Sequence, residues 1–217
     1  MARKVLLVCG IASSILYLAM NVFVPILWDG YSSLSQTVSE LSAIGAPTRP
    51  VWVPLGLLYT VLLGAFGCGV WASADRSRAL RVAGGLLIAD GVLGVYWPPM
   101  HQRAVLAAGG GTLTDTLHLV WAAATVLLMG LAIVFGAAAF GKRFRLYSIV
   151  TVAILATFGV LTDLNSSDVA ANLPTPWVGG WERLNIAAFM IWIVALATNL
   201  LRVPQTFVST VRLARAG

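Results

Sequence analysis

Six apolar runs dominate the chain. They cover residues 5–27, 51–71, 82–97, 116–140, 146–164 and 184–201, and shorter polar or Pro- and Gly-containing segments separate them. A helix crosses the hydrocarbon core with about 20 apolar residues. The pattern therefore predicts an all-α, polytopic membrane protein, a six-transmembrane-helix bundle forming one domain over residues 1–217. The third run is short, and Pro98-Pro99 ends it, because the residue before a proline is pushed out of the helical region. Between the first two runs, Leu34, Val38 and Leu41 are spaced four and three apart. That spacing predicts a short amphipathic helix at the interface, ended by Gly45 and Pro47.

Basic residues orient the spans. Arg3, Lys4, Arg76, Arg78, Arg81, Lys142, Arg143, Arg145, Arg202, Arg212 and Arg215 fall at one set of span ends; only Arg49, Arg103 and Arg183 fall at the other. The positive-inside rule then places both termini in the cytoplasm. Trp28, Trp52, Trp97, Trp177 and Trp181 gather at the outer ends, where indole rings prefer to sit. The N-terminal Met-Ala-Arg-Lys and apolar run read as an uncleaved first span, since Asn21 and Pro25 do not make a small-residue cleavage site. The expected location is a bacterial inner (plasma) membrane, crossed several times.

Composition removes other classes. Hydrophobic residues make up 59% of the chain and charged residues 10%, against roughly 25% charged in a soluble domain. The mean hydropathy is +0.88. A soluble globular domain, a disordered chain and a nucleic-acid partner are not expected, despite a net charge of +6. Cys9 and Cys68 lie toward the reducing side and read as packing residues. Gly56, Thr60, Gly64 and Cys68 recur every fourth position on the second span, a close-packing face that leaves a homodimer open. Gly109-Gly-Gly111 has no preceding strand and is not a phosphate cradle.

The candidate chemistry is one-sided. Of eight acids only Asp75 is on the cytoplasmic side, and His101 and His118 are both on the outer side. Asp90 lies eight residues into the third span, about 12 Å deep at 1.5 Å per residue. A carboxyl at that depth usually faces the bundle interior or a water-filled cavity. Asp115 and His118 share a face at the start of the fourth span, where a carboxylate can fix an imidazole's tautomer; Asp115 is also placed as a first-turn acid behind a Thr112 cap. Glu40 is on the polar side of the first outer loop, and Asp163 ends the fifth span. Glu182 and Arg183 enter the sixth, where Arg183 could neutralise a buried acid or meet an anionic headgroup. Together these residues predict one outward-opening cavity. Asp90, Glu40, His118 and Glu182 are its candidate catalytic groups. Arg183, Asp163, Asp115, Trp97 and Trp181 are its candidate substrate contacts.

Three segments, Ser39-Glu-Leu-Ser-Ala-Ile-Gly-Ala-Pro47, the stretch from Trp97-Pro to His118, and Trp181-Glu-Arg-Leu with Trp192 downstream, carry a family likeness. In this order between six spans the chain resembles the bacterial membrane proteins grouped as domain of unknown function 998. That family's pattern has an aromatic-Pro-x-Asp element after the third span. Here Trp97-Pro-Pro-Met-His101 has no acid, which weakens a metal role for this loop. His118 and Glu182-Arg183 match the family's later elements. The resemblance supplies no activity.

Two function classes follow. One is a membrane-embedded enzyme acting on a lipid or isoprenoid-like apolar substrate by acid/base chemistry. Its metal-free form is a cyclase or isomerase with a buried carboxylic acid in an aromatic-lined pocket. The metal-dependent hydrolase is less favoured, because a catalytic zinc needs three protein ligands and the chain has two histidines. No cofactor is expected. The other class is a binding or proton-coupled transport protein for a small amphiphile, or a regulatory membrane protein without turnover. Membrane lipids or a small apolar molecule are the expected partners.

Overall fold

A computed structural model describes residues 1–202; Arg212 and Arg215, counted above toward the cytoplasmic charge, lie outside the described residues. The fold is all-α. The elements are α1 (Ala2–Phe23), α2 (Arg49–Ala72), α3 (Arg78–Val95), α4 (Arg103–Ala107), α5 (Leu113–Ala138), α6 (Lys142–Asp163), α7 (Ser166–Ala170) and α8 (Val178–Arg202). Five helical segments, built on α1, α2, α5, α6 and α8, are long and apolar enough to cross a membrane. The 18-residue α3 carries Arg78, Arg81 and Asp90 and falls short of that standard.

Local chemistry sets the helix starts. The Ser77 hydroxyl accepts from the Leu80 amide at 3.2 Å and caps α3. At α5, Thr112 and Asp115 form a capping box, satisfying donors that the first turn leaves open. Pro50 sits in the first turn of α2, where a missing N–H costs nothing.

α2 and α3 pack at backbone distance. A Cβ on Gly84 would come within 2.6 Å of the Trp71 amide, and one on Gly91 within 2.8 Å of the Gly64 Cα. One on Gly94 would collide with the Thr60 side chain. The contact face on α2 is thus Thr60, Gly64, Gly67 and Trp71, which keeps Thr60 and Gly64 of the stripe expected from sequence but not Cys68, which is exposed. A strict spacing of four advances about 40° per step around a 3.6-residue helix, so Cys68 rotates off the seam and Gly67 replaces it. The seam is used within the chain, against α3.

α1 packs on α2 and α8, α3 on α5, and α6 on α5 and α8. The core holds Leu7, Leu63, Phe66, Leu87, Ile133, Phe189 and Trp192, all nearly fully buried. The Trp192 indole donates to the Ser148 hydroxyl at 2.9 Å. Large apolar side chains such as Val5, Ile15, Val61 and Leu131 stay exposed on the bundle's outside, as expected where the solvent is lipid. α5 meets α8 along little of its length. The space between them is where the candidate site lies.

Candidate functional site

Three loop segments converge at one end of the bundle: the connection from α1 to α2, the α3–α5 connection containing α4, and the α6–α8 connection containing α7. The first of these forms a roof. It holds a 3-10 turn continuing from α1, Val24–Leu27, and a short 3-10 helix, Val38–Ser42. Val38 and Leu41 are buried against Met20, Val24 and Trp52, whereas Leu34 is 55% exposed. The expected stripe therefore holds for two of its three residues. A 3-10 helix has three residues per turn, which aligns Val38 with Leu41, and Leu34 precedes the helix. The apolar side chains enter the protein.

Glu40 locks the roof. Its carboxylate accepts from Arg103 Nε at 2.8 Å and Nη2 at 2.7 Å, and from the Thr37 amide at 2.7 Å. The Arg103 guanidinium also donates to the Thr175 hydroxyl at 3.2 Å and the Ser35 carbonyl at 3.3 Å, tying all three loop segments together. A backbone hydrogen bond from Ile44 to the Met100 carbonyl, 2.7 Å, joins the first two segments again. At α8 the Val38 amide donates to the Glu182 carboxylate at 2.6 Å.

Arg183 braces the same roof. It donates to the carbonyls of Ser33 (2.7 Å), Gly179 (3.1 Å) and Gln36 (3.2 Å), and to the Tyr31 hydroxyl (2.8 Å). Tyr31 in turn donates to the Thr37 carbonyl at 2.7 Å. Burial pushes the Tyr31 phenol well above its ordinary value, against the opposing pull of Arg183, so it stays a donor. Gly179 is required here, since a Cβ would collide with the Gln36 carbonyl. Its hydrogen bonds go to carbonyls and a phenol, and its charge acts on the neighbouring Glu182 carboxyl without a direct hydrogen bond.

Beneath the roof is a cavity of about 840 Å³. Among the sequence candidates, Asp90, Asp115, His118, Asp163, Glu182 and Trp97 line it; Glu40, Arg183 and Trp181 do not. Glu40 is instead in the roof, and Trp181 is half-buried in the first turn of α8. Thr37, Val38, Ser39, Met100 and Leu106 line its loop-rich end beneath the roof. The exposed lining residues are Thr116, Leu119, Ala123, Val126 and Leu127 on α5, Ala156, Val160 and Asp163 on α6, and Ala170 on α7. The opening therefore runs between α5 and α6 and reaches the loop-rich end at Thr116, Asp163 and Ala170.

His118 is 3% exposed. Its Nδ1 lies 2.8 Å from the Pro98 carbonyl and its Nε2 3.1 Å from the Ser39 hydroxyl. A carbonyl only accepts, so Nδ1 carries the hydrogen and Nε2 receives the Ser39 proton. The carbonyl of Pro98, not Asp115, fixes this tautomer. Asp115 faces His101 instead, with Oδ2 3.0 Å from Nδ1 and Oδ1 accepting the His101 amide at 2.7 Å. The acid that the 97–101 loop lacks in sequence is thus supplied from α5.

Asp90 differs from the other acids. It is 4% exposed and its Oδ2 has no hydrogen-bond partner among the described residues. Trp97 Nε1 and Thr125 Oγ1, also on lining residues, are buried and unpartnered as well. Buried polar groups in native structures are nearly always paired, so three orphans on residues lining one cavity mark it as a place where a bound molecule could supply partners. Among the described residues no group of three or more His, Cys, Asp or Glu side chains is arranged to hold a metal ion.

Sequence reasoning missed Arg103, Ser39, Tyr17, Tyr59 and Thr125. Arg103 carried a signal, as one of three basic residues on its side of the chain. Ser39 carried one too, as the first residue of the Ser39–Pro47 likeness segment; Tyr17, Tyr59 and Thr125 lack one, since Thr and Tyr are common in membrane helices. A family model described as "Protein of unknown function (DUF998)" matches residues 11–199, and the chain belongs to this family. No curated protein and no solved structure matches it.

Proposed function

We propose that this DUF998 protein holds an amphiphilic, lipid- or isoprenoid-like molecule inside the membrane, with its apolar part between α5 and α6 and its polar group at Asp90. The observation that carries this reading is the unpartnered Asp90 carboxyl on the wall of a largely apolar, laterally open cavity. A charged carboxyl at the centre of a membrane helix is disfavoured by roughly 2.5–3.5 kcal/mol even on insertion scales. A ligand that satisfies it recovers part of that cost. A cavity of about 840 Å³ is within the range of small-molecule sites, roughly 300–1,000 Å³.

The surrounding topology belongs to the same proposal. α3 also spans the membrane, bringing the spans to six, its Arg78 and Arg81 reaching back to the interface while α2 covers its glycine face. Both termini are cytoplasmic in a bacterial plasma membrane, and the roofed end faces outward. A reporter fused to the C-terminus is expected to read cytoplasmic, and one inserted at Gly110 external; the reverse pattern refutes the orientation.

Native mass spectrometry of gently extracted protein tests the binding reading. The expected result is a retained amphiphile in the unaltered chain and its loss in Asp90→Leu. Equal retention in both refutes the role of Asp90. A second reading, acid/base turnover of the bound molecule as in a cyclase or isomerase, is favoured by one further observation: Glu182 lines the same cavity as Asp90. Conversion of the retained molecule on incubation, lost in Asp90→Asn, is the outcome that selects it.

A further inference from the structure

The lining of the cavity is electrostatically lopsided. Asp90, Asp115, Asp163 and Glu182 line it, and none of its lining residues is Lys or Arg. Asp115 is engaged by His101 and Glu182 by the Val38 amide. Asp163 is exposed at the end of α6, so Asp90 is the buried acid left without a partner, at 4% exposure and with Oδ2 unmatched.

Aromatic rings surround the same space. Tyr17 contacts Tyr59 at 4.5 Å between ring centroids and Trp52 at 5.8 Å, edge to face. Trp97 stacks on Trp121 at 6.2 Å, and the Trp121 indole is pinned by its 2.9 Å donation to the Leu93 carbonyl, one helical turn beyond Asp90. Gly56 lies against Trp97, where an added Cβ would make an ordinary 3.7 Å contact with the ring. All five rings line the cavity.

We infer that the polar group received here is a cation: an ammonium on an apolar tail, carrying no phosphate or carboxylate. This rests on the binding reading above and names its ligand class. An ammonium is attracted both to a carboxylate and to the negative faces of Trp and Tyr rings. A phosphate or carboxylate head would meet Asp90 and Glu182 with no basic lining residue to offset the repulsion. A neutral alcohol would gain a hydrogen bond to Asp90 and nothing from the rings.

The test uses the full chain in neutral maltoside micelles. Occupancy by four probes of equal chain length is read by native mass spectrometry: dodecyltrimethylammonium, dodecanol, dodecanoate and dodecylphosphocholine. Dodecyltrimethylammonium is expected to bind at least about tenfold more tightly than dodecanol, and Asp90→Asn to bring the two within about twofold. Dodecanoate and dodecylphosphocholine are expected to be the weakest. The phosphocholine arm separates a free ammonium from a zwitterionic lipid head. Equal binding of ammonium and alcohol to the unaltered protein overturns the inference and leaves the binding reading standing. Preference for either phosphate- or carboxylate-bearing probe also overturns it. Binding of none of the four overturns both. The head-group comparison on unaltered protein decides the question without relying on a variant that folds.

Discussion

Replacing Arg103 with methionine removes the guanidinium while keeping a long apolar side chain over the roof. Glu40 is then left with the Thr37 amide at 2.7 Å, the Thr37 hydroxyl at 3.1 Å and the Gln36 amide at 3.2 Å. Its side chain is 2% exposed, against 15% for Arg103. Breaking a buried pair by removing one member costs roughly 3–5 kcal/mol. The partial exposure of Arg103 lets water reach the freed carboxylate, so the lower end applies, about 3 kcal/mol. For a chain of this size 1 kcal/mol moves the midpoint by about 2–4 °C, so Arg103→Met is expected to lower Tm by roughly 6–12 °C. Unfolding in neutral micelles, followed by tryptophan fluorescence, measures this. The double variant with Glu40→Gln is expected to recover part of the loss, with a coupling of roughly 1–3 kcal/mol. Hydrogen exchange is expected to rise in residues 30–48 while the centres of α2 and α8 stay protected. If each single variant costs under about 1 kcal/mol and the effects add, the pair behaves like an exposed ion pair. The roof is then held by something other than Glu40 and Arg103.

Two further outcomes follow from packing. Gly91→Val places a branched side chain where a Cβ alone would come 2.8 Å from the Gly64 Cα and 2.9 Å from the Thr60 carbonyl; forcing α2 and α3 apart is expected to cost about 1–3 kcal/mol, and an unchanged Tm would show that the two helices do not meet there. Ser148→Ala strands the Trp192 indole N–H in the core; a loss of about 1–3 kcal/mol is expected, and Trp192→Phe in the same background is expected to cost less than Trp192→Phe alone, which a four-variant unfolding cycle reads directly.

The helices were legible in the sequence because lipid-facing and core positions are both apolar. A run of apolar residues then marks the whole helix, and the six runs correspond to α1, α2, α3, α5, α6 and α8 within a few residues at each end. Caps were legible for a different reason: Thr112 and Asp115 interact across three residues, within the range that spacing encodes. Side-chain pairing across loops is not encoded that way. Glu40 and Arg103 are 63 positions apart, and Ser39 and His118 are 79 apart. Nothing local to either partner specifies the other. The helix-face rule even favoured a wrong pair, because Asp115 and His118 do share a face, yet the 97–101 loop turns His101 onto the acid and offers His118 the Pro98 carbonyl.

The same distinction sorts the site. Asp90 could be identified from depth alone, since the energetic reason it must face inward is independent of what it meets. Glu40 and Arg183 could not be sorted by depth, because both lie near span ends where a charged group has three outlets: water, headgroups or a loop. The structure gives both to the roof, where they satisfy backbone and side-chain groups that the loops would otherwise bury unpaired. That division has a functional consequence. With Glu40, Asp115, His118 and Arg183 engaged by roof and loop partners, the chemistry open to a bound molecule narrows to Asp90 and the groups beside it. A change at Asp90 should then alter ligand occupancy with the roof intact, while a change at Arg103 should loosen the roof with the Asp90 wall intact. Occupancy and roof exchange measured on both variants separate the two: if Asp90→Asn raises exchange in residues 30–48 as much as Arg103→Met does, the cavity wall and its cover are one structural unit, and the division fails.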